Sequence, residues 1–183
     1  MRTSDADILI VPGLSGSGPD HWQTRWEQKL STARRVEQED WDRPVRESWT
    51  RRLVAEVEAS SRPVVLVAHS LGVALVAHAA PLLPAGAVKG AFLVGLPDVE
   101  RPDVPPEIDP SFRPLPRDPL PFPSLLVASR DDPFCAYERA EDFAYAWGAL
   151  IVDAGQAGHM NTESGYGPWP EGLMRFAGFL RQL

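Results

Sequence analysis

Short, continuous runs of apolar residues constrain the fold of this chain more than any other feature. Four of them, each bounded by turn-forming residues, span residues 8–11, 64–68, 91–96 and 125–129. A strand that is apolar on both faces is buried on both, which is typical of a parallel sheet. A fifth run at 149–153 and a weaker sixth at 34–37, near an edge, complete the predicted sheet.

Apolar residues recur at helical spacing between these runs. The predicted faces carry Trp22, Trp26 and Leu30; Trp49, Leu53 and Val57; Ala140, Phe143, Ala144 and Trp147; and Leu173, Phe176, Ala177 and Leu180, with Pro170 near a helix start. Alternating strands and helices define the α/β class. We predict a three-layer α/β/α sandwich with a mostly parallel, doubly wound sheet. Because 183 residues are about one domain's length, we expect one domain over residues 1–183.

Charge and cysteine content exclude several classes of partner. The formal net charge of −7 opposes binding to nucleic acid or to an anionic membrane surface. The single cysteine, Cys135, cannot form an intrachain disulfide and fits a reducing compartment. No two histidines have metal-ligand spacing on one helix, so we expect no metal and no cofactor. Pro12 ends the first apolar run too early for a signal peptide, so none is expected.

A segment without charged residues lies between Arg62 and Lys89 and is long enough to cross a bilayer. Its first part is β-branched, its second part is alanine-rich, and it contains His69, Ser70 and Gly72. We therefore expect a buried strand, a sharp turn and a buried helix, not a membrane-spanning helix.

The turn in this segment predicts a nucleophilic serine at Ser70. Such a serine projects past a strand on a tight turn, which requires small residues two positions before and after it. Ala68 and Gly72 meet this requirement, so the pattern is the nucleophile elbow G-x-S-x-G with alanine for the first glycine. The following helix would direct its N-terminus at developing negative charge. The alternative is an ordinary strand–helix turn.

A serine nucleophile needs a base, and His159 has the expected position. It lies in a loop just past the last predicted strand, whereas His21, His69 and His78 all come earlier in the chain. The alternative is a solvent-exposed loop histidine. The chain order of serine, acid and histidine is that of α/β-hydrolases.

The acid that orients the histidine is expected at Asp131 or Asp132, directly after the run at 125–129. Two physical considerations favour Asp132. Pro133 restricts the backbone of Asp132 to extended conformations, and adjacent residues of an extended chain point to opposite sides. Asp131 would then be a solvated turn residue or a minor contact.

A glycine-rich loop follows the first run, at residues 11–18. Phosphate-binding motifs fail in it, because Pro19 stands where the P-loop lysine is required and His21 where the dinucleotide fingerprint needs glycine. An oxyanion hole needs only backbone N–H groups near this strand. We predict those of Leu14 and Leu71; a flexible glycine turn is the alternative.

The stretch from Pro97 to Pro123 contains ten of the 19 prolines. It is too rich in proline for a helix or a central strand. Because it leaves the carboxyl end of a predicted strand, where ligands bind in open α/β sheets, we favour a wall over the site. A stiff surface excursion is the alternative.

Taken together, these residues resemble small serine hydrolases related to retinoblastoma-binding protein 9 and the bacterial YdeN proteins. The resemblance covers essentially the whole chain. It rests on Ile10-Val11-Pro12-Gly13, His21-Trp22-Gln23-Thr24-Arg25-Trp26-Glu27, His69-Ser70-Leu71-Gly72, Leu120-Pro121-Phe122-Pro123-Ser124, Ser129-Arg130-Asp131-Asp132-Pro133-Phe134-Cys135 and Ala157-Gly158-His159.

The resemblance implies a compact α/β-hydrolase core without a helical cap, acting in the cytoplasm on small esters or amides. It places Ser70, Asp132 and His159 on the family's catalytic triad. The retinoblastoma-binding motif L-x-C-x-E of the mammalian relative is absent, since Cys135 lies in Pro133-Phe134-Cys135-Ala136-Tyr137. That interaction is not expected here.

The function predicted from the sequence is a carboxylesterase-type serine hydrolase that acts on a small acyl substrate through an acyl-enzyme. The main alternative is a non-catalytic interaction module on the same scaffold, because fold does not fix function; acyl transfer is a further one. The sequence does not distinguish ester, amide and thioester substrates. It also leaves open whether Trp22, Trp41 or Trp169 contacts ligand or core.

Overall fold

The computed structural model describes all residues, Met1–Leu183. The strands are β1 (Asp7–Val11), β2 (Ala33–Arg35), β3 (Val64–His69), β4 (Val88–Val94), β5 (Ser124–Ala128) and β6 (Leu150–Asp153). The helices are α1 (Trp22–Lys29), α2 (Arg46–Glu58), α3 (Leu71–Ala79), α4 (Tyr137–Trp147) and α5 (Pro170–Leu180). Short 3₁₀ turns occupy Thr3–Asp5, Ala80–Leu82 and Pro110–Phe112.

All six strands form one parallel sheet in the order β2-β1-β3-β4-β5-β6. The chain moves outward from β1 to β2 and then returns to the other side of β1 with β3. The strand order therefore reverses between β1 and β3. In open α/β sheets such a switch point opens a crevice at the carboxyl ends of the strands, where ligands bind.

The two faces of the sheet are covered by different helices. Residues of α2, α3 and α4 pack in the larger core, and those of α1 and α5 pack in the second. Successive strand residues alternate between the faces, so Leu9 belongs to the first core and Ile8 to the second. This confirms the predicted α/β/α sandwich with a parallel sheet.

The uncharged segment before Lys89 forms β3, a turn and α3, as expected. The α-helices of the structure fall short of the length and apolarity that a bilayer-spanning helix needs.

Three predicted details differ from the structure. Strand β4 is Val88–Val94, not 91–96, because the chain turns at Gly95 with φ +62°. Strand β2 is Ala33–Arg35, not 34–37. The buried face of α5 includes Gly172 and Phe179, and Ala177 is exposed.

The buried face of α5 differs from the predicted face because of how the helix packs against Trp169. A Cβ on Gly172 would lie 2.2 Å from the indole of Trp169, so the helix turns its glycine toward this ring. A pattern of apolar residues does not show such a contact, because glycine carries no hydrophobic signal.

The proline-rich stretch serves both as a wall and as part of the core. Its first part, from Pro97 to Ile108, lines the crevice above the sheet. Its second part is anchored by the buried Phe112, whose carbonyl oxygen accepts a hydrogen bond of 3.0 Å from His78 Nε2. The wall is therefore fastened to α3, the helix that follows Ser70.

Candidate active site

Ser70 lies on a sharp turn between β3 and α3. Its backbone has φ 55° and ψ −129°, a strained conformation that is often held at functional sites. The turn requires Gly72, because a Cβ there would lie 2.2 Å from the carbonyl oxygen of Val11. Gly13 approaches from the other side, where a Cβ would lie 2.8 Å from the Leu71 nitrogen.

Replacing Gly72 by alanine should destabilise the protein by about 3 kcal/mol or more, because the new methyl group meets rigid backbone. For a protein of this size that lowers Tm by about 6–12 °C. Thermal unfolding measures the effect. Gly178→Ala is the control, since its Cβ would meet only Arg181 at 4.0 Å; equal Tm values for the two variants would contradict the packing at the turn.

Ser70, His159 and Asp132 form one line of hydrogen bonds. His159 Nε2 lies 2.8 Å from Ser70 Oγ, and His159 Nδ1 lies 2.8 and 3.0 Å from the two oxygens of Asp132. The side chains of His159 and Asp132 are only 6% and 3% exposed. Residues that are 89 and 27 positions apart in the sequence are thus brought together at three strand ends.

The backbone around His159 is fixed by side chains from four parts of the chain. The His159 carbonyl accepts a hydrogen bond from His69 Nε2 at 2.9 Å, and its N–H donates to Ser164 Oγ at 3.1 Å. On either side, Trp22 Nε1 donates to the Met160 carbonyl at 2.9 Å, and Asp131 accepts from the Gly158 N–H at 2.8 Å. These contacts hold the imidazole in place in a loop that has no regular structure.

Asp131 contacts this loop and not the imidazole. Its carboxylate accepts hydrogen bonds from the Ser129 hydroxyl at 2.7 Å and from the Gly158 N–H, and both lower its pKa. Only Asp132 reaches His159. The two adjacent acids therefore have separate roles, one toward the loop backbone and one toward the ring.

Two backbone N–H groups are free beside Ser70. Those of Leu14, in the loop after β1, and Leu71, at the start of α3, make no hydrogen bond within the chain. The missing side chain of Gly13 leaves the space above the Leu71 nitrogen open. Both residues line the cleft together with Ser70.

The groups that hold the Leu14 loop could not be predicted from the sequence. The fully buried Gln23 donates from Nε2 to the carbonyls of Val11 and Val67, at 3.3 and 3.0 Å, and accepts from the Ser17 hydroxyl at 2.6 Å. Arg35 binds the Ser17 carbonyl at 3.0 Å. The only signal for this role was a glutamine next to Trp22 on a helix that faces the core.

A cleft of about 510 Å³ opens over Ser70. Its charged lining is largely paired: Arg101 binds Asp103, and Asp98 binds Arg139 at 3.4 Å. Glu163 at the rim has no ion-pair partner. The cleft therefore presents little net positive charge to an anionic ligand.

The tryptophans that the sequence left open belong to the core. Trp22 and Trp169 pack against each other in the second core at 5.0 Å between ring centroids. Trp41 is half-buried against the Leu14 loop, where its carbonyl accepts from the Ser15 N–H at 2.8 Å. None of the three lines the cleft.

Cys135 is buried, and burial raises the pKa of its thiol to about 12. The thiol is therefore protonated near neutral pH. No group of three or more His, Cys, Asp or Glu side chains is arranged to hold a metal ion.

A parallel sheet with a strained serine turn at its switch point, opposite a histidine on a later strand end, defines an α/β-hydrolase fold. The family model described as serine hydrolase matches residues 8–178. The chain therefore belongs to this serine hydrolase family.

Solved structures agree with this assignment. A protein described as a YdeN-like hydrolase, from Pectobacterium atrosepticum, is 33% identical with a TM-score of 0.84, covering 97% of this chain and 91% of its own. The ydeN product of Bacillus subtilis is 19% identical with a TM-score of 0.80, covering 96% and 99%. An esterase domain from Rhodothermus marinus shares the fold at 20% identity, with a TM-score of 0.65 and coverage of 95% and 85%. No curated protein sequence matches the chain.

Proposed function

We propose that this serine hydrolase is a carboxylesterase that uses Ser70, His159 and Asp132 as its catalytic triad, within one catalytic domain over residues 1–183. The observation that carries the proposal is the line of hydrogen bonds from Asp132 through His159 to Ser70. The backbone N–H groups of Leu14 and Leu71 have no partner within the chain, and both residues line the cleft with Ser70. If one of these hydrogen bonds had been missing, the structure would have favoured a non-catalytic interaction module.

The proposed reaction depends on which ring nitrogen of His159 carries the proton. Asp132 accepts from Nδ1–H, so Nε2 is free to take the proton of Ser70 as Oγ attacks the acyl carbon. The N–H groups of Leu14 and Leu71 stabilise the oxyanion. His159 then gives the proton to the departing alcohol oxygen, leaving an acyl-Ser70. Water, deprotonated by His159, releases the acid and restores Ser70.

Two further observations bear on the setting of this reaction. An esterase among the proteins that share the fold supports an ester as the substrate. The single cysteine, buried and without a disulfide, supports a cytoplasmic location.

A pre-steady-state assay with p-nitrophenyl acetate tests the proposal. Formation of the acyl-enzyme releases nitrophenol. If deacylation is slower, we expect an initial burst of nitrophenol equal to the enzyme concentration. Failure to hydrolyse any activated ester would contradict the esterase proposal and favour the interaction module.

The size of the cleft sets an expectation for the acyl chain. A deep apolar tunnel would raise kcat/KM about fourfold for each added methylene, the equivalent of about 0.8 kcal/mol. The cleft here is bordered by the rigid stretch from Pro97 to Ile108, so kcat/KM should be higher for short acyl chains than for long ones. A series of p-nitrophenyl esters measures this. An optimum beyond about ten carbons would mean that the stretch does not limit the site.

A further inference from the structure

His21 lies in the cleft wall and has no place in the proposed reaction. It is the residue before α1, and its Nδ1 accepts a hydrogen bond of 3.1 Å from the Gln23 N–H. An imidazole nitrogen that accepts carries no proton, so in the neutral ring the proton is on Nε2. The helix start therefore fixes one tautomer of His21.

The surroundings keep this ring neutral and fixed. Burial, followed by the nearby charges of Arg35 and His159, lowers the pKa of His21 to about 4. The ring is 5% exposed and packs against His69 at 4.8 Å and Trp22 at 5.5 Å between centroids. A charged histidine is thus excluded near neutral pH, and the ring does not move freely.

The Nε2–H of His21 donates to no group in the chain, although the ring lines the cleft next to Ser70. The nitrogen is open to the cleft, because it is not among the fully buried polar atoms that lack a partner. A ligand atom in the cleft can therefore take this hydrogen bond in place of solvent, and it must be a hydrogen-bond acceptor. Because the donor is uncharged and the cleft has little free positive charge, an uncharged oxygen fits better than a carboxylate or phosphate.

His21 lies on the side of the cleft where the catalytic histidine sits. Its ring packs against His69 at 4.8 Å, and His69 packs against His159 at 4.9 Å between ring centroids. Since His159 protonates the departing alcohol, the alcohol part of the substrate lies on this side of the cleft, toward His21.

We propose that His21 is a substrate-recognition residue whose Nε2–H binds an oxygen in the alcohol part of the ester. The substrate class is then short-chain acyl esters of oxygen-bearing alcohols, such as glycol or polyol esters. This inference rests on the proposed esterase function and assigns the alcohol side of the same site.

A matched pair of esters tests the inference. 2-Methoxyethyl butanoate and butyl butanoate have the same length and differ by one oxygen in the alcohol part. His21→Asn keeps an oxygen that can accept from the Gln23 N–H but removes the Nε2–H donor. The ratio of kcat/KM for the ether ester over the butyl ester should fall about three- to tenfold, the effect of one uncharged hydrogen bond.

Asp20→Asn is the matched control, since it alters an exposed residue of the same loop and should keep the wild-type ratio. An unchanged ratio in His21→Asn would overturn the proposal, as would a fall that appears instead for an ether oxygen placed in the acyl part. If the wild-type protein hydrolyses neither ester nor any activated ester, the esterase function itself fails, which is a different result.

A second measurement does not require a His21 variant. In Ser70→Ala protein labelled with nitrogen-15, the Nε2 resonance of His21 should shift on addition of 2-methoxyethyl butanoate and move less with butyl butanoate. Equal shifts with the two esters would contradict recognition of the ether oxygen.

Discussion

Replacing Ser70 by alanine should lower kcat for an activated ester by at least about 10⁴-fold, the largest effect expected of any single substitution. Loss of the nucleophilic serine costs on the order of 10⁶ in kcat in a serine protease, because the remaining residues act only through it. Here His159 Nε2 has Ser70 Oγ as its partner at 2.8 Å. Steady-state hydrolysis of p-nitrophenyl acetate measures the change.

Ser61→Ala is the control for this variant, because Ser61 is exposed in the turn before β3 and outside the cleft. It should retain wild-type kcat. Activity that survives in Ser70→Ala at more than about 1% of wild type would assign the chemistry to another residue, given the size of the loss known for such serines.

Asp132→Asn should lower kcat by at least about a hundredfold. An asparagine keeps the shape of the side chain but favours the wrong imidazole tautomer, a change that costs about 10⁴ in a serine protease. Asp132 is the acid that contacts His159 Nδ1, at 2.8 and 3.0 Å.

Asp131→Asn is the matched control, since it makes the same chemical change one residue away. It should lose less than about tenfold, because an amide oxygen can still accept from the Gly158 N–H and the Ser129 hydroxyl, and Asp131 makes no contact with the imidazole. The measurement is kcat on one activated ester, with circular dichroism to confirm folding. Greater damage from Asp131→Asn would reverse the assignment.

The fold followed from the sequence because strand burial leaves a strong local pattern. Each of the five apolar runs that predicted a buried strand became a strand of the parallel sheet, with shifts of a few residues at the ends. The errors arose where the determining contact was tertiary. Gly172 belongs to the buried face of α5 because it meets the Trp169 indole, and no local pattern marks a glycine as buried.

The candidate site also has a part that the sequence could predict and a part that it could not. The closeness of Ser70, Asp132 and His159 could be predicted because each lies within six residues of the end of a strand, and parallel strands end at one edge. The side chains that hold the site loops in place could not be predicted from the sequence. His69 reaches the His159 carbonyl 90 residues away, and Gln23 reaches Val67 across 44 residues. Such contacts depend on side-chain directions in the folded protein.

Labelling with a fluorophosphonate probe, followed by mass spectrometric mapping of the modified residue, tests the central claim most directly. The probe reacts with a serine only where a base takes its proton and an oxyanion hole stabilises the adduct. We expect one adduct per chain, on Ser70, and none in Ser70→Ala. An adduct on another serine, or no adduct at neutral pH, would contradict the assignment of Ser70 as the nucleophile.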